Sequence, residues 1–351
     1  MTELTRDQLM NALRTVTEPE MERDVVSLGL VDKASADADK ITIILNLTTP
    51  NSPLKPTLEE AVRTALEPLR SERDLNVNFS CNVSGASKDG LPGIKNVIAV
   101  GSGKGGVGKS TVAANLAASL AAEGAAVGLL DADIYGPSQA KMFSVDGKRL
   151  MADEEKNIIP LKSFGVKLMS IANLVEDGQA LTWRGPILHG TLTQMLKQTL
   201  WGELDYLLVD LPPGTGDVQL SLSQLVSVSG AVIVTTPQEV ALLDVRRAFT
   251  MLRKTHIPVL GIIENMSYYQ LPDGSRDPIF GEGGATAFAE AEDLRLLGQI
   301  PITRATRESG DSGQPLVLSQ PESPSARAFR RAARVLVGSV NLQNKMSLPV
   351  L

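Results

Sequence analysis

One stretch, NVIAVGSGKGGVGKSTVAANLAASLAAEG (96–124), limits the fold more than any other. An apolar run of strand length breaks into a loop of alternating glycines and then into an alanine-rich segment of helix length. Glycine loops of the form G-x-x-x-x-G-K-[ST] bind phosphate only when a strand precedes them and a helix follows, and both flanks are present here. Further apolar runs of strand length follow downstream. AVGLLDAD (126–133), DYLLVDLPPG (205–214), AVIVTTP (231–237), IPVLGIIEN (257–265) and RLLGQIP (295–301) are apolar runs separated by helix-length segments. Continuous apolar strands alternating with helices predict an α/β domain with a mostly parallel sheet covered on both faces.

Residues 1–83 read differently. Thr5 and Gln8 predict a capping box opening a helix through Val16. ITIILNL (41–47) predicts a strand, and Pro56 suits the start of a helix over roughly 56–70. LNVNFSCNV (75–83) alternates so that Leu75, Val77, Phe79, Cys81 and Val83 share one face, which predicts Cys81 as a small buried hydrophobe. The expected organisation is a small α+β domain at 1–83, a Gly/Ser/Lys-rich linker at 84–95 and the α/β domain at 96–351. A last helix near 324–338 carries Arg327, Arg330, Arg331 and Arg334, expected as a solvated face.

Bulk properties narrow the function classes. The 351 residues are 43% hydrophobic and 21% charged, ordinary for a globular protein of about two domains. A net charge of −6 does not suit a nucleic-acid-coating protein. No apolar run spans a bilayer and the N-terminus MTELTRDQL has no apolar signal core, so a cytoplasmic location without membrane contact is expected. Cys81 is the single cysteine, and His189 and His256 are the only histidines, so neither an intrachain disulfide nor a cysteine metal cluster is expected within one chain.

In the glycine loop, Gly103, Gly105, Gly106 and Gly108 leave room for backbone N–H groups to face a phosphate, with Lys104 and Val107 between them. The following helix N-terminus adds favourable partial charge. Lys109 is expected to reach the β- and γ-phosphates, Ser110 to ligate Mg²⁺ and Thr111 to touch the α-phosphate. Asp210 ends an apolar strand before LPPGTGD and suits the acidic position that holds Mg²⁺ through water. Asp131 and Asp133 end another strand, where a carboxylate can orient an attacking water. ATP and Mg²⁺ are the expected cofactors.

Together these motifs resemble a known family. KGGVGKST, with its early lysine, is similar to the deviant Walker A loop of the MinD/ParA/nitrogenase-iron-protein class of P-loop NTPases. DADIYGPS, WRGP (183–186), DLPPGTGD, ENMS (264–267), FGEGG (280–284) and RESGDSG (307–313) narrow the resemblance to the Mrp (ApbC) family of ATP-dependent iron–sulfur cluster carriers. SLGLVD and TTPNSPLK resemble the PaaD-like domain that often precedes it. The resemblance implies a homodimeric ATPase in which Lys104 crosses the interface to the partner's nucleotide phosphates. It implies that Asn265 contacts adenine, that the segment after Pro301 closes over the base, and that Asp217 belongs to the γ-phosphate-sensing loop. It also implies an iron–sulfur cluster and partners among assembly or recipient apo-proteins.

One part of the family pattern is missing. The family's C-x-x-C after N-M-S falls on Leu271 and Gly274, in NMSYYQLPDGSRDP, and Ser52 stands where the small domain often has a cysteine. Leucine and glycine offer no ligand for iron, and Pro272-Asp273-Gly274 predicts a tight turn. Three readings therefore stay open. The first is a cluster-assembly ATPase with ligands supplied by a partner or by an unusual O/N site. The second is a nucleotide-dependent dimer switch for a different client. The third is a positioning ATPase of the MinD/ParA type, against which the C-terminus NLQNKMSLPVL, not a basic amphipathic anchor, and the acidic balance count.

Overall fold

The computed structural model describes residues 4–85, 91–174, 185–214 and 216–347. Two compact units emerge, Met1–Ser84 and Gly85–Leu351. In the first, α1 (Arg6–Leu13) opens on the expected reciprocal capping box of Thr5 and Gln8. The helix stops three residues short of Val16, which turns into the short strands β1 (Thr17–Glu18) and β2 (Arg23–Asp24). Strands β3 (Val31–Ala36), β4 (Lys40–Asn46) and β5 (Asp74–Ser80) form one sheet, with β4 between the other two. Helix α2 (Lys55–Arg70) joins β4 to the parallel strand β5 and buries Leu58, Val62 and Leu66 at helical spacing.

Cys81 departs from its expected place. Strand β5 ends at Ser80, opposite Asn46, and Cys81 is half-buried rather than core. Beyond that point the Asn46 side chain replaces the strand partner. Its Oδ1 accepts from the Asn82 N–H at 2.6 Å and its Nδ2 donates to the Asn82 carbonyl at 3.0 Å.

The second unit follows the predicted alternation. β6 (Ile94–Ser102) leads through the glycine loop into α3 (Lys109–Ala122), then β7 (Val127–Asp131) and the short α4 (Gln139–Met142). The antiparallel pair β8 (Met151–Ala152) and β9 (Ile158–Ile159) precedes the hairpin of β10 (Leu161–Ser163) and β11 (Val166–Ser170). Then come α5 (Gly185–Lys197), β12 (Leu204–Asp210), α6 (Asp217–Leu225), β13 (Gly230–Thr235) and α7 (Glu239–Lys254). The remainder is β14 (Val259–Gln270), β15 (Arg276–Asp277), α8 (Gly284–Ala291), β16 (Leu296–Ile302), α9 (Arg304–Ser312), α10 (Leu316–Ser319) and α11 (Pro324–Ser347).

Among the described residues the main sheet has nine strands in the order β10-β11-β7-β12-β6-β13-β14, with β15 and β16 both pairing β14. Neighbours from β11 to β14 run parallel, as does β16 on β14, and only β10 and β15 are antiparallel. Every residue of β7 and β13 is buried, as strands covered on both faces require. α3 is buried on nearly all sides, packed between the sheet and α10 and α11. Its alanines let those elements approach closely.

The C-terminal helix is longer than expected and less uniform. Arg327 and Arg331 face solvent. Arg334 instead turns inward to Glu123 at 2.7 Å, and Arg330 donates to the Val317 carbonyl at 2.8 Å. Arg330 and Arg334 lie one turn apart on the side packed toward α3 and α10, so only part of the arginine set forms a solvated face.

Candidate nucleotide and magnesium site

The carboxyl ends of β6, β7 and β12 lie side by side, with Asp210 paired in register with Val100 and with Asp131. Loops at this edge of a parallel sheet are where α/β proteins bind ligands. The glycine loop turns here, and two of its glycines are required by close approaches. A Cβ on Gly103 would lie 2.3 Å from the Asp244 backbone carbon of α7. Gly108 has φ +80° and caps α3, and a Cβ there would lie 2.3 Å from Asn265 Nδ2. Gly105 and Gly106 are exposed, which leaves that side of the loop open, while Val107 is buried beneath it.

Lys109 is the centre of the site. Its ammonium donates to Asp210 Oδ1 and to Ser110 Oγ at 3.2 Å, and lies 3.7 Å from Asp133 Oδ2. The lysine and Asp210 are both buried, so their charges act with little screening. Thr111 follows in the first turn of α3, half-buried.

The two carboxylates after β7 separate into different roles. Asp131 is fully buried and already committed. Its Oδ2 accepts from the Ser138 and Gln139 N–H groups and from Ser170 Oγ, each at 3.0 Å, and its Oδ1 accepts from the Asp133 N–H at 3.3 Å. Burial, reinforced by the negative Asp210 next to it, pushes its pKa up to about 7. Asp133 is buried as well, but its side chain keeps 13% of its surface exposed. Burial raises its pKa too, opposed by the Lys109 charge.

Gln139 belongs to this site although the sequence motifs stop short of it. The residue is fully buried, and Nε2 donates to Asp210 Oδ2 at 2.7 Å and to the Ser110 carbonyl at 2.9 Å. The available signal is a polar residue two positions past Pro137, at the start of a helix aimed at strand-end carboxylates that need donors. Gln219 was also missed. Its Nε2 donates to the Pro212 and Gly214 carbonyls at 3.3 and 2.9 Å and so shapes the loop after Asp210. The Gly214 N–H bonds the Ser102 carbonyl at 2.9 Å, tying that loop to the start of the glycine loop.

The donor set suits magnesium. A hard cation takes oxygen ligands and retains water. Ser110 Oγ and the carboxylates of Asp133 and Asp210 converge around one ammonium, and the buried Gln139 Oε1 has no hydrogen-bond partner. Among the described residues no group of three or more His, Cys, Asp or Glu able to hold a metal occurs.

The other expected residues lie around this centre. Lys104 stands apart from the Lys109 cluster, half-buried, with its backbone carbonyl bonded by Ser102 Oγ at 2.9 Å. Among the described residues it has no ion-pair partner. Asp217 occupies the first position of α6. Asn265 donates to the Val107 carbonyl at 2.9 Å, and it pairs in register with Ile300, beside the buried Pro301. Trp183 and Arg184 of WRGP lie outside the described residues. Leu271 and Gly274 fall on the connection from β14 to β15, where the Gly274 N–H bonds the Leu271 carbonyl and the Leu271 N–H bonds the Ser275 carbonyl, both at 2.9 Å. Asp273 Oδ1 accepts from Ser275 Oγ at 2.6 Å, and the Arg276 guanidinium lies 4.3 Å from the Tyr268 ring centroid. The expected tight turn is therefore present, closed by local hydrogen bonds.

Comparison with known proteins places the chain in a family. Residues 93–337 match the family model of the NUBPL iron-transfer P-loop NTPases, and residues 6–79 match that of an iron–sulfur cluster assembly protein. An iron–sulfur cluster carrier protein of Deinococcus radiodurans is 52% identical over 344 residues, spanning 98% of each chain. The Synechocystis protein of the same description is 42% identical, spanning 97% of this chain and 99% of its own. Among solved structures, a nucleotide-binding protein from Archaeoglobus fulgidus in complex with ADP is 40% identical, with a TM-score of 0.60, covering 69% of this chain and 94% of its own. MinD of Pyrococcus horikoshii, complexed with Mg-ADP, is 27% identical with a TM-score of 0.52, covering 68% and 94%.

Proposed function

The chain belongs to the iron-transfer P-loop NTPase family, and from that membership we propose that it is a magnesium-dependent ATPase. It works as a homodimeric switch in the assembly of iron–sulfur clusters or their transfer to apo-proteins. The observation that carries this reading is the convergence of Lys109, Ser110, Asp133 and Asp210 at one strand edge beneath the glycine loop.

In this reading Lys109 and the N-terminus of α3 bind the β- and γ-phosphates. Ser110 and Asp210, the latter through water, hold Mg²⁺, which when bound supplies charge neutralisation to the phosphates. Asp133 orients the attacking water and takes its proton. Its raised pKa makes it a stronger base than an exposed aspartate. Asn265 and the segment after Pro301 hold the base, and Asp217 senses the γ-phosphate. Lys104 has no ion-pair partner among the described residues of its own chain, which suits a cation that reaches a second subunit's nucleotide. Among the described residues no helix is long and apolar enough to cross a membrane, and a cytoplasmic location is part of this reading.

The iron–sulfur cluster is cargo here, with ligands supplied by its partners. A second reading, a dimer switch for another client, is favoured by one observation. The turn at 271–275 is closed by its own hydrogen bonds and carries no thiol.

Paired substitutions test the ATPase. Lys109→Ala should abolish nucleotide binding. Lys104→Ala should retain ADP binding but lose turnover and ATP-driven pairing, by roughly tenfold or more for one lost charge-assisted bond. Equal activity in the two variants would sink the assignment. Anaerobic reconstitution with a recipient apo-protein, read as iron and sulfide content, separates the two client readings.

A further inference from the structure

Gln139 carries an unused group. Both amide hydrogens are spent, on Asp210 Oδ2 and on the Ser110 carbonyl, while Oε1 of the same amide is buried without a donor. A buried acceptor left unsatisfied is costly, so a fully buried glutamine with half its amide idle calls for a partner. Its surroundings say which kind. The two groups it holds are the two that the site offers to magnesium, one directly through its carboxylate and one through the backbone of Ser110. Among the described residues none supplies a hydrogen to Oε1, and magnesium retains several waters whose hydrogens point outward.

We propose that Gln139 is a positioning residue of the magnesium site, a reading that rests on the ATPase assignment above. Nε2 fixes the second oxygen of Asp210, so that the carboxylate presents a defined face to the metal's hydration shell. The same nitrogen holds the first turn of α3 at Ser110, which sets the hydroxyl against that carboxylate. Oε1 accepts a hydrogen bond from a metal-bound water. Gln139 is itself placed by its own N–H, bonded to Asp131 at 3.0 Å. A chain of contacts therefore runs from the end of β7 through α4 to the metal-facing atoms of β12 and α3. Partners of this kind orient metal ligands, and removing one costs about 10–100-fold in metal affinity.

Gln139→Met keeps the length and burial of the side chain and removes both polar atoms. The test is a Mn²⁺ titration of the protein with ADP, read by the loss of the free-ion electron paramagnetic resonance signal. It is paired with ADP binding measured in excess chelator. The expected result is a Mn²⁺ dissociation constant raised about tenfold, with metal-free ADP affinity unchanged. A brace of purely structural importance would weaken both alike, and that outcome overturns the proposal. So does unchanged Mn²⁺ binding in the variant. Should Gln139→Met fail to fold, Gln139→Asn keeps the amide but is one methylene too short to span Asp210 and Ser110, and the same split is expected of it. If the wild-type protein binds no Mn²⁺ with ADP, the ATPase reading itself fails, and this inference with it.

Discussion

Asp131 and Asp133 are two residues apart and chemically identical, yet the fold gives them opposite work. Asp131 accepts four hydrogen bonds in a fully buried position, so it organises α4 and has no room to orient a water. Its raised pKa has a measurable consequence. A carboxyl whose pKa climbs from 3.8 to about 7 on folding binds more protons folded than unfolded between those values. Its contribution to stability is complete below pH 3.8 and is lost as pH rises through about 7. In metal-free protein the melting temperature of wild type relative to Asp131→Asn should therefore fall from pH 5 to about pH 7 and level off above it, as read by calorimetry. A flat difference would remove Asp131 as the titrating group. Gly108 is the second residue-scale case. Gly108→Ala must adopt φ +80° and displace Asn265 from its bond to Val107, which should lower stability by about 1–3 kcal/mol, read as a shifted urea midpoint at constant slope.

At the scale of elements, α3 is the part on which the site depends. Its N-terminus carries Lys109 and Ser110, and its flanks are held from the C-terminal side of the chain. Asn115 Oδ1 accepts from the Val317 N–H at 3.1 Å, and Glu123 just past the helix pairs with Arg334. The side chains of Arg334 and Glu123 are only 14% and 10% exposed, so removing one leaves a charge largely cut off from water. Arg334→Ala should cost about 3 kcal/mol, whereas Arg327→Ala on the solvent face of the same helix should stay within about 0.5 kcal/mol. Urea unfolding of the two variants checks the contrast. The connection between β14 and β15 shows the reverse dependence. Its turn is fixed locally by Asp273, Gly274 and Ser275, so it holds its shape without support from another element.

For the whole molecule, the proposed switch predicts that association follows nucleotide. Asp133→Asn, which keeps the site's shape but weakens the base, should sediment as a dimer with ATP and Mg²⁺ and as a monomer with ADP. Dimer in both states would show that ATP is not what drives pairing. The parallel α/β architecture, the glycine loop and the strand-end carboxylates are legible in the amino-acid order. Each is written in local pattern: apolar runs of strand length, glycines where backbone must bend, charges where strands stop. The helix cap at Thr5 and the turn at Pro272–Gly274 were legible for the same reason, since their partners lie within a few residues. Only the packed fold shows which of the two carboxylates after β7 is spent on hydrogen bonds, because the donors to Asp131 come from Ser138, Gln139 and the distant Ser170. It alone brought Gln139 to Asp210 across 71 positions of chain and turned Arg334 inward to Glu123 across 211. It also left Cys81 outside the core, because the neighbouring strand β4 ends at Asn46 and alternation alone does not reveal where a partner strand stops.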